Sequence, residues 1–198
     1  MNRPFLATLF FIALNLSSYA QLNGGIKGGL NVCDFIVTNS GDVFDEATFN
    51  TRVSFHIGSY LQDQFSEQFA WQVEVLFSNK GYVEEIDGQK NIVSLNYLDL
   101  PIFLVYKPIE LLELEFGPEF GYMITGDDLL NNFDFAFDIG ARFNLSSKFN
   151  AGMRYSYGLP FKMKLSNEAA AGYDPHYQNG VFQLYLGFNL VNEKRSEQ

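Results

Sequence analysis

The sequence predicts an all-β fold, an eight-stranded antiparallel up-and-down transmembrane β-barrel, and three observations carry the prediction. Bulky apolar residues recur at every second position in eight segments, the positions between them are small or polar, and the connections alternate between long and short. Each phase of such a strand faces a different medium, so the fold follows from deciding which phase meets lipid.

Composition sets the limits. The chain has 198 residues, 47% of them hydrophobic and 17% aromatic, with 23 acidic against 13 basic side chains and a formal net charge of −10. That length suits one domain. Its 21 Phe and 11 Tyr exclude a disordered chain, and 17 Gly without heptad blocks exclude a coiled coil. The acidic balance, with no run of Lys or Arg, speaks against a nucleic-acid-binding surface. Cys33 is the only cysteine, which rules out an internal disulfide and a multi-cysteine metal site.

Residues 1–20 read as a secretory signal. Arg3 supplies the positive n-region, residues 5–14 form the apolar stretch, and Ser18-Tyr19-Ala20 sets small residues at both specificity positions before Gln21. The expected order is a signal peptide at 1–20, a barrel domain at 21–191 and a short periplasmic tail at 192–198. No cysteine stands at the junction, which argues against a lipid-modified lipoprotein. Cleavage leaves 178 residues with 12 basic and 23 acidic side chains. No later stretch approaches the ~20 apolar residues of a membrane-spanning helix, whereas barrel strands escape that criterion.

The strands follow in order. Segment 24–32 sets Ile26, Gly28, Leu30 and Val32 against Gly25, Lys27, Gly29 and Asn31; 52–62 sets Val53, Phe55, Ile57 and Leu61 against Arg52, Ser54, His56, Gly58, Tyr60 and Gln62. In 69–77 the apolar phase is Phe69, Trp71, Val73, Val75 and Phe77, and in 96–106 it is Leu98, Leu100, Ile102, Leu104 and Tyr106. The second half alternates more strictly, through 112–125, 133–145, 149–158 and 182–190. Connections 33–50, 79–94, 126–132 and 159–179 read as long loops, and 63–68, 107–111 and 146–148 as short turns. Long extracellular loops and short periplasmic turns are the asymmetry of an outer-membrane barrel, with both termini on the periplasmic side.

In a soluble barrel the apolar phase would fill the interior; in a membrane barrel it faces lipid. Roughly 40 bulky apolar side chains are too many for the narrow interior of eight strands. The opposite phase holds Gly25, Gly29, Gly58, Gly117, Gly121, Gly140, Gly152, Gly158 and Gly187, small residues suited to a confined lumen. Tyr60, Trp71, Tyr82, Tyr97, Tyr106, Tyr122, Tyr155 and Tyr157 lie mostly toward strand ends, where interfacial aromatic girdles are expected. Sixteen strands of about 10 residues would consume roughly 160 residues before any loop, so a porin does not fit.

Four segments resemble a known family. Gly25-Ile26-Lys27-Gly28-Gly29-Leu30-Asn31, Glu74-Val75-Leu76-Phe77-Ser78-Asn79-Lys80-Gly81, Tyr97-Leu98-Asp99-Leu100-Pro101-Ile102 and Phe116-Gly117-Pro118-Glu119-Phe120-Gly121-Tyr122 are similar to the PorT-like outer-membrane β-barrels of Gram-negative bacteria. They recur in order over nearly the whole mature chain. The resemblance implies an outer-membrane barrel domain, usually without assigned activity. One namesake member takes part in a protein secretion system, a role that membership alone does not carry over.

The lumenal phase holds Lys27, Arg52, Arg142 and Arg154 with Glu74, Asp99, Glu113, Glu115, Glu119, Asp134 and Asp138, and Glu74, Asp99, Glu119, Asp138, Arg154 and His56 fall near mid-height. Such charges could form an ion pathway or an acid–base pair, or else a structural plug in which buried charges are paired. A narrow interior favours the plug. The expected structural lumen network is Lys27, Arg52, His56, Glu74, Asp99, Glu119, Asp138, Arg142 and Arg154.

No catalytic, cofactor-binding or metal-binding residue is expected. His56 lies within reach of Asp99 or Glu74, but no nucleophile motif accompanies it, and His176 belongs to the last long loop. A lipid-modifying enzyme needs a His/Ser pair on the lipid face, and neither histidine faces that way. Asp127-Asp128 with Asn131 and Asn132 matches no calcium-loop spacing. The glycines at 24–29 open a strand and form no phosphate cradle. Pro101 and Pro118 fall within strands, where a missing N–H predicts breaks in the ladder. Cys33 reads as the start of the first long loop.

The function expected is that of a non-enzymatic bacterial outer-membrane barrel with a filled lumen, in contact with outer-membrane lipids. Val43-Phe44, Phe49, Tyr82-Val83, Tyr173 and Tyr177 are loop apolar residues that either meet a protein partner or pack on the barrel mouth. A secretion or transport assembly is the first alternative, and a soluble periplasmic barrel binding a small apolar ligand the second.

Overall fold

The computed structural model describes residues 21–38, 47–86, 88–164 and 174–192. Among the described residues ten strands form one sheet: β1 (Gln21–Thr38), β2 (Ala47–Asn50), β3 (Arg52–Gln64), β4 (Phe69–Ile86), β5 (Gln89–Ile109), β6 (Leu112–Thr125), β7 (Phe133–Asn144), β8 (Phe149–Gly158), β9 (Phe161–Lys162) and β10 (His176–Asn192). Eight of them make the wall in the order β1-β3-β4-β5-β6-β7-β8-β10, each antiparallel to its neighbours, and β1 pairs with β10 to close the ring. The short β2 extends the sheet on β4, and β9 does so on β10. Closure leaves no free edge along the wall, which a bilayer requires of strands.

Alternation resolves into outside and inside. Ile26, Phe55, Trp71, Leu98, Phe116, Ile139, Met153 and Leu186 are exposed; their chain neighbours Lys27, His56, Gln72, Asp99, Glu115, Asp138, Arg154 and Tyr185 are buried. The contrast is large, 68% exposure for Leu186 against 1% for Arg154. An apolar belt of this extent is the lipid-facing surface of a membrane barrel, because in water it would drive aggregation. The soluble alternative is thereby set aside.

The connections 65–68, 110–111 and 145–148 are tight. They share one end of the barrel with Gln21 and Asn192, since Gln21 pairs with Gln64 and Asn23 with Asn192. We call this the turn end and the opposite one the loop end. Stretch 79–94 is not a loop: β4 and β5 continue as a paired hairpin to Ile86↔Gln89. Strand β1 likewise runs on through Cys33 to Thr38, so Cys33 is a buried strand residue with Sγ 3.5 Å from the Ser54 hydroxyl. Polar residues there conceal strands, because above the bilayer a strand need not present an apolar face.

The prolines interrupt the ladder without shifting it. Pairing between β4 and β5 stops at Val73↔Ile102 and resumes at Leu76↔Asp99, across Pro101; between β5 and β6 it stops at Pro101↔Glu119 and resumes at Leu104↔Phe116, across Pro118. Register slips occur elsewhere, at Gly24/Gly25, Asn96/Tyr97 and Tyr106/Ile109.

Candidate functional site

The lumen is filled by side chains in layers. At the turn end Arg142 of β7 donates through Nε to Glu113 Oε2 at 3.0 Å and through Nη1 to Gln72 Oε1 at 2.7 Å, and its Nη2 contacts Glu113 as well. Gln62 donates to Glu113 at 3.1 Å, and Lys107 lies 3.4 Å from the same carboxylate. Tyr60 donates to Asn189 and accepts from Asn150 at 3.0 Å. The ring of Tyr60 lies under the Arg142 guanidinium, 5.4 Å from its centroid.

Above it, Arg154 of β8 reaches across to β4. Its Nη1 and Nη2 bind Glu74 at 3.0 and 2.9 Å, and Nη2 also binds Glu115 at 2.7 Å. Lys27 of β1 binds both oxygens of Glu74 at 2.9 and 3.0 Å. Aromatic rings cover the cations: Lys27 sits 3.7 Å from the Tyr185 ring centroid and Arg154 4.2 Å from that of Phe103. Each contact spreads cationic charge that the bilayer interior could not solvate.

On the loop side Lys80 Nζ lies 3.0 Å from Asp99 and 2.9 Å from Glu119. Asn179 donates to Asp134 at 2.9 Å, and Asp138 is 4.0 Å from Arg154. His56 Nδ1 pairs with Asn31 Oδ1 at 2.7 Å, which replaces the expected reach to Asp99 or Glu74. Asn31 continues the network to Ser78 Oγ at 3.0 Å.

An apolar cap closes the loop end. Phe35, Tyr82, Leu95, Tyr97, Met123, Leu130, Met163 and Tyr177 form one buried cluster, with Val37, Phe49, Val93 and Phe161 packed on it. Phe35 stacks on Tyr82 at 4.2 Å between ring centroids. Beside the cap, Lys162 Nζ lies 2.6 Å from Asp174 Oδ1, and that hydrogen bond holds the Asp174 carboxyl below its ordinary range.

The structure thus gathers eight of the nine expected lumen residues: Lys27, His56, Glu74, Asp99, Glu119, Asp138, Arg142 and Arg154 are buried inside the ring. Arg52 departs from the expectation. It is half-buried and donates to the Lys80 carbonyl and, at 3.4 Å, to the Ser94 hydroxyl, not to a carboxylate. Lys80 was hidden by its place in a stretch that reads as loop. Tyr60, Tyr82 and Tyr97 leave the expected girdle for the interior, while Trp71, Tyr106, Tyr122, Tyr155 and Tyr157 are exposed on the outer face. A tyrosine near a strand end suits either face; its parity along the strand, visible for Tyr60 and Tyr97, decides.

Of the loop apolar residues, Phe49, Tyr82 and Tyr177 pack into the cap; Val43, Phe44 and Tyr173 lie outside the described residues. Asp127 Oδ1 accepts from the Leu129 amide at 2.9 Å, closing a turn. His176 Nδ1 contacts the Asp174 carbonyl oxygen at 2.8 Å.

A closed antiparallel ring with an apolar belt outside and ion pairs within defines a transmembrane β-barrel of the outer-membrane type. Residues 15–160 match the family described as outer membrane protein beta-barrel domain, and the chain belongs to that family. It is a bacterial outer-membrane protein. Among solved structures it is similar to Ail, the attachment invasion locus protein of Yersinia pestis, in complex with the heparin analogue sucrose octasulfate, at 12% identity over 86% of this chain and 99% of that one, with a TM-score of 0.51. It is also similar to the outer membrane protein OprG from Pseudomonas aeruginosa, at 11% identity over 86% and 94% of the two chains, with a TM-score of 0.51. Likeness at these identities concerns the fold alone. No match is found among curated proteins.

Proposed function

We propose that the protein is a closed, non-enzymatic outer-membrane barrel whose role, structural or interactive, is exercised at its loop end. The filled lumen carries this reading. Arg154 binds Glu74 and Glu115 and Lys27 binds Glu74 across the interior, with the aromatic cap on their loop side, and this filling among the described residues favours a lumen closed to solutes. An eight-stranded ring is just wide enough for its own side chains, which favours the same conclusion. The loop end is read as extracellular and the turn end as periplasmic, from the tight turns and the two strand termini at the latter.

The PorT-like kinship is proposed on the four segments that carry it. They lie on β1, β4, β5 and β6 and contribute Lys27, Glu74, Lys80, Asp99 and Glu119 to the lumen. What they hold in common is the interior of a barrel, which supports the kinship without supporting a secretion role. A ligand like the sulfated sugar bound to Ail is not favoured for this chain, because its acidic excess repels polyanions.

The test is reconstitution of the purified barrel into planar bilayers. No steady conductance is expected at neutral pH; a stable open level in single insertions overturns the closed-barrel reading. Mild-detergent co-purification separates a lone barrel from a component of a larger assembly.

A further inference from the structure

On its β3 side, strand β4 passes from one ladder to another. Its pairing with β3 ends at His56↔Ser78 and its pairing with β2 begins at Asn50↔Val83, so among the described residues 79–82 have no ladder partner on that side. Side chains meet the carbonyls left open there. Asn31 Nδ2 donates to the Asn79 carbonyl at 3.1 Å, the Ser54 hydroxyl donates to the same oxygen, and Arg52 Nη1 donates to the Lys80 carbonyl. Gly81 holds φ 122°, and a Cβ built on it would lie 3.2 Å from Arg52 Nη1. The guanidinium thus sits in the break between ladders, and its Nη2 reaches the hydroxyl of the exposed Ser94 at 3.4 Å.

Ser94 belongs to a polar shelf on the outer face. Along β5, Ser94 and Asn96 share the outward phase of Leu98 while Leu95 and Tyr97 are buried, and along β4 Asn79 follows the outward Phe77. Asn79 Nδ2 donates to Ser94 Oγ at 2.7 Å and to Asn96 Oδ1 at 2.6 Å, and Asn96 Nδ2 donates to Thr125 Oγ1 at 2.7 Å. Next to the shelf the wall is apolar, with Val53, Phe55, Phe77, Leu98 and Ile124 exposed. Tyr122, exposed and paired in register with Leu98, gives the level, because outward tyrosines mark the bilayer interface. The shelf lies where lipid headgroups meet the wall.

Its hydrogen bonds run in one sense. Ser94 Oγ accepts from Arg52 and from Asn79, and Thr125 Oγ1 accepts from Asn96, so neither hydroxyl hydrogen is used in these contacts. Arg52 uses one N–H of each terminal nitrogen, and the rest of its fork is left over. Among the described residues no carboxylate lies within ion-pair distance of Arg52, whereas Lys80 holds Asp99 and Glu119 and Lys90 lies 3.5 Å from Glu85. Surplus donors beside an uncompensated positive charge suit an anion.

We propose that Arg52 and Ser94 form a seat for the phosphate group of a membrane lipid, whose acyl chains lie along Phe77, Leu98 and Ile124. The guanidinium grips phosphate oxygens through its unused N–H groups, and the Ser94 hydroxyl adds a neutral donor. Asn96 and Thr125 continue the shelf with uncharged groups for the rest of the headgroup. A lipid is already confined to this surface at high effective concentration, so the acidic excess that repels soluble polyanions does not exclude it. The seat deepens the contact with outer-membrane lipids; it rests on the bilayer placement of the belt and not on the closed lumen.

The test uses the mature chain folded in dodecyl maltoside micelles and titrated with dodecyl phosphate, with binding followed by phosphorus NMR. A saturable one-to-one component is expected, weakened at least about tenfold by Arg52→Gln, which removes a charged hydrogen-bonding partner, and about threefold by Ser94→Ala. Dodecyl phosphate that only partitions into the micelle, or that binds Arg52→Gln as it binds the wild type, overturns the proposal. Arg52 also closes the Lys80 carbonyl, so if Arg52→Gln fails to fold the decision passes to Ser94→Ala, an exposed position, where unchanged binding overturns it. Inorganic phosphate that binds as tightly as dodecyl phosphate overturns the assignment to a lipid. Quenching of Trp71 by brominated lipids, measured on the same samples in vesicles, separates the outcomes: quenching without phosphate binding defeats the seat alone, and loss of quenching defeats the bilayer placement beneath it.

Discussion

Arg154 and Glu74 form a two-point ion pair across the barrel interior, Nη1 to Oε2 at 3.0 Å and Nη2 to Oε1 at 2.9 Å, between strands that are not neighbours in the sheet. A pair that spans the lumen ties opposite walls together and occupies the axis that a pore would need. Its planar fork gives it directionality that a lysine would lack.

Arg154→Leu should lower the urea midpoint of the barrel in micelles, with a cost of about 3–5 kcal/mol, because Glu74 and Glu115 lose a shared partner while still buried. Glu74 keeps Lys27, so the double variant Arg154→Leu with Glu115→Gln should recover part of the loss. A midpoint that stays fixed or rises in the single variant contradicts the structural role of Arg154.

Gly152→Val tests how tightly the lumen is filled. A Cβ at position 152 would overlap the Tyr185 ring, whose hydroxyl donates to Glu115 at 3.2 Å and whose face covers Lys27. Overpacking there should cost about 1–3 kcal/mol. Wild-type stability in this variant would mean that the interior has room to spare.

Phe35→Ala should open the aromatic cap. Phe35 touches the rings of Tyr82, Phe49 and Tyr177, and its truncation should cost about 3–5 kcal/mol. Limited proteolysis should cut the loop end sooner. Bilayer conductance should remain absent, since the ion-paired layers below are untouched; conductance in this variant would make the cap the actual seal.

Trp71, the only tryptophan, is 54% exposed on the outer face. In vesicles its fluorescence should be quenched by lipids with brominated acyl chains and resist iodide in the aqueous phase. The reverse pattern would remove that face from the bilayer.

Residues 1–20 are proposed to be cleaved on export. Amino-terminal sequencing of the outer-membrane form should begin at Gln21, with a glutamine or its cyclised form, and a chain retaining Arg3 would refute the assignment.

Much of the wall was legible because each outward side chain meets the bilayer as an individual. Ile139 and Leu186 need no partner to reveal their side; hydrocarbon is the partner, and parity along the strand carries the information. The same parity placed Glu74, Asp99, Glu119 and Arg154 inside. Legibility ended where strands leave the membrane, since β4 and β5 beyond Asn79 carry polar residues on both faces and read as loop. Lys80, which holds Asp99 and Glu119, was lost with them.

The sequence by itself determined the number of wall strands, the face each one turns to lipid and the acidic excess carried within, because these depend on local period and composition. Only the tertiary structure decided who meets whom. Ring closure of β1 on β10 and the register of every ladder bring Lys27 to Glu74, Arg154 to Glu74 and Glu115, and His56 to Asn31 instead of a carboxylate. Those meetings join residues tens of positions apart, and a shift of one residue in any ladder would turn the charged phase of that strand toward lipid. Register thus sets which of the buried carboxylates find cations.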